Sequence, residues 1–113
     1  MGTHSPRVYD RRKFNDILIE SIIEGLDFGE LILRFLELRT SMKREEIVDK
    51  PGVFADELEK LFGSYTADVL EERIIRTLCK KLRIDYDEVS DYTFSRCIRK
   101  IYRVYASQSR VHG

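Results

Sequence analysis

The stretch from Lys50 to Leu82, KPGVFADELEKLFGSYTADVLEERIIRTLCKKL, decides the fold because two apolar stripes with helical spacing flank one glycine. Gly63 suits the left-handed position just beyond a helix end, and Ser64 suits the cap that opens the next helix. Pro51 fits a first helical turn, where its missing N–H costs nothing. We predict a helical hairpin whose packing residues are Phe54, Leu58, Leu61 and Phe62, followed by Leu70, Ile74, Leu78 and Leu82.

The chain before the hairpin predicts a first helix that begins near Tyr9 or Asp10 and ends near Glu24. Its apolar residues fall on two sides of the helix, so we expect it either at the centre of the bundle or against another subunit. The apolar positions are Phe14, Ile17, Leu18, Ile19, Ile22 and Ile23.

A break at Gly25 and a capping position at Asp27 favour a separate second helix over one continuous helix, in which each glycine would cost about 1 kcal/mol. We expect this second helix to end near Leu38 or Arg39, before a short helical segment that stops at Lys50. Its predicted apolar stripe comprises Phe28, Leu31, Ile32, Phe35 and Leu36.

After the hairpin, a polar connector with one turn around Asp87 to Val89 leads into a last helix that we expect from Ser90 or Asp91 to Ala106. No stretch alternates like a strand, and no repeat recurs at a fixed period. The predicted fold is therefore all-α: one helical domain over residues 1–113, with about five main helices and one or two short extra turns. Residues 1–6 and 107–113 are expected to be frayed tails, which contain both histidines.

Composition excludes two broad classes of protein. The chain has 113 residues, 42% hydrophobic and 35% charged, so it is neither intrinsically disordered nor membrane-spanning. No apolar segment resembles a signal peptide, which makes a cytoplasmic location the expectation. Asn15 and Gln108 are the only side-chain amides, and such depletion is a thermophile tendency. Cys79 and Cys97 lack metal-binding spacing; they are expected to be buried apolar side chains, with a disulfide as the alternative.

Formal charge sums to zero but is unevenly spread, with −4 in residues 14–50, −4 in residues 51–91, +3 in residues 1–13 and +5 in residues 92–113. The basic ends carry the candidate contact residues Arg96, Arg99, Lys100 and Arg103 on the last helix, with Arg11 and Arg12 beside Arg7 and Lys13. Three interpretations stay open: a solvated helix face, a phosphate-binding surface with tyrosines that stack on bases, or a contact with an acidic surface of a second subunit.

The sequence contains few other residues or motifs that could form a catalytic or binding site. There is no phosphate-binding glycine loop, no HExxH and no EF-hand loop, and adjacent carboxylates such as Glu71 and Glu72 point about 100° apart on a helix. A helix-turn-helix role for the hairpin is disfavoured because Asp68, Glu71 and Glu72 lie where DNA phosphates would approach. We expect no catalytic residues, no cofactor and no metal.

The residues KPxxFxxxLxxxFG, with Ala67, Leu70-Glu71, Ile74 and Leu78 in the next helix, resemble a small archaeal all-α output-domain family of signalling proteins. The resemblance covers roughly residues 14 to 82. It implies a helical fold and a signalling role, and it brings no catalytic residues. The final basic helix has no place in the family pattern.

Together these patterns predict a non-enzymatic helical protein-interaction or signalling output module that self-associates, most simply as a homodimer, because excess apolar surface in a small domain usually meets a partner. The alternative is a nucleic-acid-binding protein that uses the basic C-terminal helix. A small-molecule sensor with an apolar pocket is a third, more remote hypothesis.

Overall fold

A computed structural model describes the backbone of residues 6–112 and the side chains of residues 10–108. Within that part of the chain every regular element is helical, which confirms the all-α bundle of five main helices. The elements are α1 (Pro6–Gly25), α2 (Gly29–Thr40), a 3-10 helix (Arg44–Glu46), α3 (Pro51–Phe62), α4 (Ser64–Leu82), α5 (Tyr86–Val89) and α6 (Phe94–His112).

The helical hairpin is confirmed, but its turn is built by Gly63 alone. The backbone of Gly63 has φ +84° and ψ 164°, a region open essentially to glycine. Its N–H donates to the Glu59 carbonyl at the end of α3, and its own carbonyl accepts the first bond of α4 from Ala67 N–H. Ser64 is therefore the first helical residue and not the predicted cap; its hydroxyl donates to the Glu59 carboxylate.

Helix α1 lies at the centre of the bundle, the first of the two predicted environments. It packs against α2, α4, α6 and the 3-10 helix, with Phe14, Leu18 and Ile22 fully buried. Asn15, also buried, donates through Nδ2 to the Arg44 carbonyl (3.0 Å) and accepts from Val48 N–H (2.9 Å). A side chain of α1 thus holds the connection between α2 and α3 in place.

The break between α1 and α2 is confirmed, whereas the predicted buried stripe of α2 is wrong in three of its five members. Ile32 and Leu36 face the core together with Leu33, while Phe28, Leu31 and Phe35 are exposed. The reason is a close approach at Gly29, where an added Cβ would lie 2.2 Å from the Ile22 carbonyl oxygen. This contact turns the Gly29 side of α2 toward α1 and leaves the Phe28 side in solvent.

The helix boundaries differ from prediction in four places. No side chain caps α2, so the predicted Asp27 cap is wrong. Helix α1 already begins at Pro6, a favourable first-turn residue, while residues 1–5 and 113 of the expected tails lie outside the described part. Helix α6 begins later than predicted because the Thr93 hydroxyl accepts from Arg96 N–H (3.2 Å), and it continues to His112, beyond the predicted end at Ala106. The predicted connector turn is the short helix α5.

The remaining stripes pack as the sequence predicts in most of their members. Phe54 and Leu58 of α3 are buried, and the ring of Phe54 lies 5.6 Å from that of Phe94, which joins α3 to α6. Leu61, Phe62 and Leu82 are only partly buried. The buried positions of the last two long helices are Leu70, Ile74, Ile75, Leu78 and Cys79 on α4, and Phe94, Cys97, Ile98 and Ile101 on α6.

Candidate functional site

An exposed apolar stripe runs along α2 on the side away from the core. We define the α2 stripe as Phe28, Leu31, Phe35 and Leu38, whose exposed fractions run from 40% to 82%. At about 100° per residue Leu31, Phe35 and Leu38 fall within an arc of about 60° on α2. Phe28, the residue just before α2, continues the stripe at its N-terminal end. The ring of Phe62 at the end of α3 lies 5.8 Å from that of Phe28 and continues the apolar surface at one end.

Ion pairs hold the two margins of the α2 stripe. On one margin Arg39 Nε donates to the Glu57 carboxylate of α3 (2.6 Å), and Glu57 is itself buried. On the other, Arg44 reaches both Glu30 and Glu37 at 3.1 Å, and these hydrogen bonds lower the pKa of both carboxyl groups. These ion pairs connect α2 to α3 on one side and to the 3-10 helix on the other.

The four basic residues predicted as contact residues on α6 line one depression together with Asp91, but they differ in their ion pairs. Arg96 and Lys100 both point to Asp91, at 3.6 and 3.0 Å, so their charge is partly balanced within the fold. Two hydrogen-bond donors, the Tyr92 N–H and Lys100, lower the pKa of Asp91. Arg99 and Arg103 are exposed and make no ion pair with any described residue.

The two basic ends of the chain do meet in space. Arg11 of α1 and Arg99, Tyr102 and Arg103 of α6 line one open groove of about 460 Å³, which we call the basic groove. Asp49 also lies on its wall and binds Arg11 at 3.0 Å. Arg12 instead lines a neighbouring depression with Asp16, Glu45 and Asp49. The groove therefore unites Arg11 with Arg99 and Arg103, and it does not include Arg12 among its lining residues.

The tyrosines of α6 serve packing more than the sequence suggested. Tyr102 and Tyr105 are half-buried, and their rings lie 5.2 and 5.5 Å from that of Phe14, which seals α6 against α1. Tyr92, before α6, is almost fully exposed. Tyr102 also lines the basic groove.

An acidic cleft lies where α3, α4 and the start of α6 converge. Glu71 is half-buried there, with Asp56, Glu59 and Asp68 around it. Burial, and secondarily the three neighbouring negative charges, raise the pKa of Glu71 to about 7. Asp68 and Glu71, whose position on the hairpin argued against DNA contact, thus lie with Asp56 and Glu59 in a cleft of negative charge.

Both cysteines are buried and free. Burial raises the pKa of the Cys79 thiol to about 11 and also raises that of Cys97, so neither is a reactive thiolate near neutral pH.

Within the described residues no group of three His, Cys, Asp or Glu side chains could hold a metal ion. No helix in that same range is long and apolar enough to cross a membrane.

Comparison with models of protein families, with curated proteins and with solved structures found no match. The surfaces described above therefore carry the functional argument by themselves.

The sequence suggested that the two basic chain ends form one surface, but it placed most of the α2 stripe in the core. The width of the apolar arc of α2 could have indicated an exposed stripe. With Leu33 and Leu36 included, apolar residues cover about 220° of the circumference of this helix. A helix at the surface of a small domain needs an arc of only about 100° to face its core. The excess width indicates that part of the apolar arc has to remain outside.

Proposed function

We propose that this protein is a non-enzymatic helical interaction module that binds another protein through the α2 stripe. The observation that carries the proposal is the exposure of Leu31, Phe35 and Leu38 together on α2, with Phe28 exposed just before its first residue. Isolated exposed apolar side chains are common, but a contiguous stripe at helical spacing is typical of helix-in-groove or helix–helix recognition.

The energetic reason is the exposed apolar area. With about 200 Å² for a large apolar side chain, the stripe exposes roughly 400 Å², which lies in the range of functional patches on small domains. At about 25 cal/mol per Å², covering it would contribute up to about 10 kcal/mol before the costs of association are subtracted. A partner that covers α2 therefore has a substantial driving force available.

The test is photo-cross-linking from position 38. A photoreactive amino acid at Leu38 (82% exposed), in protein added to lysate of its source cells, should give a discrete protein adduct. The same amino acid at Tyr92, an even more exposed site beside the acidic cleft, is the matched control and should not give that adduct. An absence of adducts specific to position 38 would remove the proposal.

A second candidate function, nucleic-acid binding, is favoured by the basic groove. Arg99 and Arg103 have no ion-pair partner among the described residues, and Arg11 converges on them from the other end of the chain. Three guanidinium groups around one open groove suit phosphates of a single strand, with the Tyr102 ring beside them.

Fluorescence anisotropy with mixed-sequence single-stranded DNA at low salt tests this candidate. Arg99→Ala and Arg103→Ala should each weaken binding more than Arg96→Ala, whose side chain pairs with Asp91. Arg34→Ala, a similarly exposed arginine on α2, is the matched control. Equal losses for all four variants, or no binding at low salt, would contradict a role for the groove.

A signalling output role in the cytoplasm is the cellular setting that we propose for the module. It is supported by the resemblance of residues 14 to 82 to archaeal output domains.

A further inference from the structure

We propose that the partner at the α2 stripe is a second copy of this chain, packed antiparallel about a two-fold axis through position 33 of α2. The inference rests on the proposed interaction function and names its partner. The four stripe residues are symmetric about position 33 in sequence. A two-fold axis at that position places Phe28 opposite Leu38 of the second copy, and Leu31 opposite Phe35 of the second copy.

The spacing of the stripe is that of a helix–helix seam. Positions 28, 31, 35 and 38 are separated by three, four and three residues, which is the a and d pattern of a heptad. Two such seams can pack along their full length because each knob meets the space between residues of the facing helix. A flat or irregular patch would offer no comparable register.

Side-chain volume selects the antiparallel orientation. In the antiparallel register all four layers contain one phenylalanine and one leucine, so the two helix axes stay equally far apart along the seam. A parallel pair would alternate layers of two phenylalanines with layers of two leucines. The layers would then differ in thickness, and the resulting gaps would forfeit contacts.

Charge points to the same orientation. The antiparallel register brings Asp27, 87% exposed and just before α2, to the same end of the seam as Arg39 of the second copy. Within their own chain these side chains already pair with Arg73 (4.0 Å) and Glu57 (2.6 Å), so the contact between copies adds only a contribution at the rim. A parallel pair would bring like charges together at both ends, and it would also align the two helix dipoles unfavourably. Arg34 of both copies lies near the axis, where the pair with Glu30 on the same helix (3.6 Å) offsets the repulsion.

The exposed apolar area is about half of what each partner buries in a standard interface. Stable interfaces bury about 800 Å² on each partner, somewhat over half of it apolar. The roughly 400 Å² of the stripe supplies most of that apolar share, and the flanking Glu30, Arg34 and Arg39 supply a polar rim. The stripe therefore suits the apolar centre of a dimer interface.

Light scattering of the full chain across the micromolar range tests the stoichiometry. We expect a mass that approaches twice the 13.4 kDa of one chain as concentration rises. Leu38→Glu should raise the dimer dissociation constant at least about tenfold, because the dimer would bury an unpaired charge. Tyr92→Glu, outside the stripe, should leave the dimer dissociation constant unchanged. A monomer at every concentration would overturn the inference.

Disulfide trapping tests the orientation. In the antiparallel register two copies of Leu38→Cys lie about 15 Å apart along the helix axis, beyond the roughly 7 Å that a disulfide spans, and should not cross-link. A mixture of Phe28→Cys and Leu38→Cys protein should form a mixed disulfide. Leu31→Cys with Phe35→Cys tests that the two seams face each other, in case loss of the Phe28 contact with Phe62 weakens the fold. It does not test the orientation, because two copies of Leu31→Cys lie about 6 Å apart along the axis in the antiparallel register and are within reach of a disulfide. Self-cross-linking of Leu38→Cys would overturn the antiparallel packing.

The photo-cross-link at position 38 separates this inference from the proposed function. An adduct of twice the chain mass supports the second copy. An adduct of any other mass overturns the second copy while the interaction function stands. No adduct overturns both.

Discussion

Helices α2 and α6 carry equally regular apolar stripes, yet the fold treats them in opposite ways. The stripe of α6 is buried at Phe94, Ile98 and Ile101, and its opposite face is basic. The regular stripe of α2 remains exposed at Phe28, Leu31 and Phe35, while α2 buries a different set of apolar residues.

The difference shows that the spacing of apolar residues predicts which face of a helix is buried only when the apolar arc is narrow. Helix α6 has a narrow apolar arc opposite Arg96, Arg99 and Arg103, so only one rotation about its axis hides the apolar residues. Helix α2 has an arc about twice as wide as its contact with the core, so two rotations hide similar amounts. A close backbone contact then selects one of them.

The difference between the two faces of α2 is tested most strongly by alanine substitutions at two leucines that lie two residues apart. Leu33→Ala removes a side chain that is 0% exposed and should cost about 3–4 kcal/mol of unfolding free energy through lost burial and a cavity. Leu31→Ala removes one that is 52% exposed and should cost less than about 1 kcal/mol in the monomer. Urea denaturation at low protein concentration measures both, and equal losses would mean that α2 is rotated.

Gly29→Ala tests the contact that selects the rotation of α2. The added Cβ would meet the Ile22 carbonyl oxygen at 2.2 Å and force α1 and α2 apart, at a cost of about 2–3 kcal/mol. Gly52→Ala is the control, because its nearest neighbour is the Ser95 hydroxyl at 3.3 Å and its cost should stay within about 1 kcal/mol. Thermal unfolding of the two variants should separate clearly; similar midpoints would rule out the close approach.

Asn15→Ala tests the anchor that fixes the segment after α2. It leaves the Arg44 carbonyl and the Val48 N–H without their side-chain partner in a buried site, at a cost of about 2 kcal/mol. Ser21→Ala, equally buried on α1 but bonded only within its own helix, should cost about half as much or less. Hydrogen exchange of Val48 N–H should rise in the first variant alone. Unchanged exchange in Asn15→Ala would contradict the anchor.

The smallest expected effect concerns the acidic cleft beside the start of α6. The pKa of Glu71 is raised to about 7, above the usual 4.5, so the folded chain binds more protons than the unfolded chain between these pH values. Stability therefore falls as the pH rises through this range. At pH above 7, Glu71→Gln should be more stable than wild type by about 1 kcal/mol, a value reduced for partial exposure.

Below pH 4.5 the gain from Glu71→Gln should vanish, since the carboxyl group is then protonated in both states. Glu45→Gln, at an exposed site on the 3-10 helix, controls for the loss of one negative charge. Denaturation curves at several pH values measure the effect. A gain that does not change with pH would show that burial of the carboxylate is not its cause.

The candidate surfaces were predictable to different degrees. Basic residues at both chain ends suggested a joint surface, and the structure brings Arg11 together with Arg99 and Arg103 while Arg12 lines another depression. Charge in sequence cannot show that Arg96 and Lys100 turn to Asp91, because that depends on where the loop before α6 folds back. The α2 stripe could be read as apolar, but its exposure depended on neighbouring helices.

The amino-acid sequence by itself determined that this chain is all-α, that Gly63 separates two helices, and that Phe54, Leu58, Ile74 and Leu78 are buried. These features follow from local periodicity and from the one residue type that tolerates the backbone at the turn. Only the tertiary structure decided which half of α2 faces the core. That choice depends on a backbone contact between Gly29 and Ile22, and no local pattern encodes a contact between two helices.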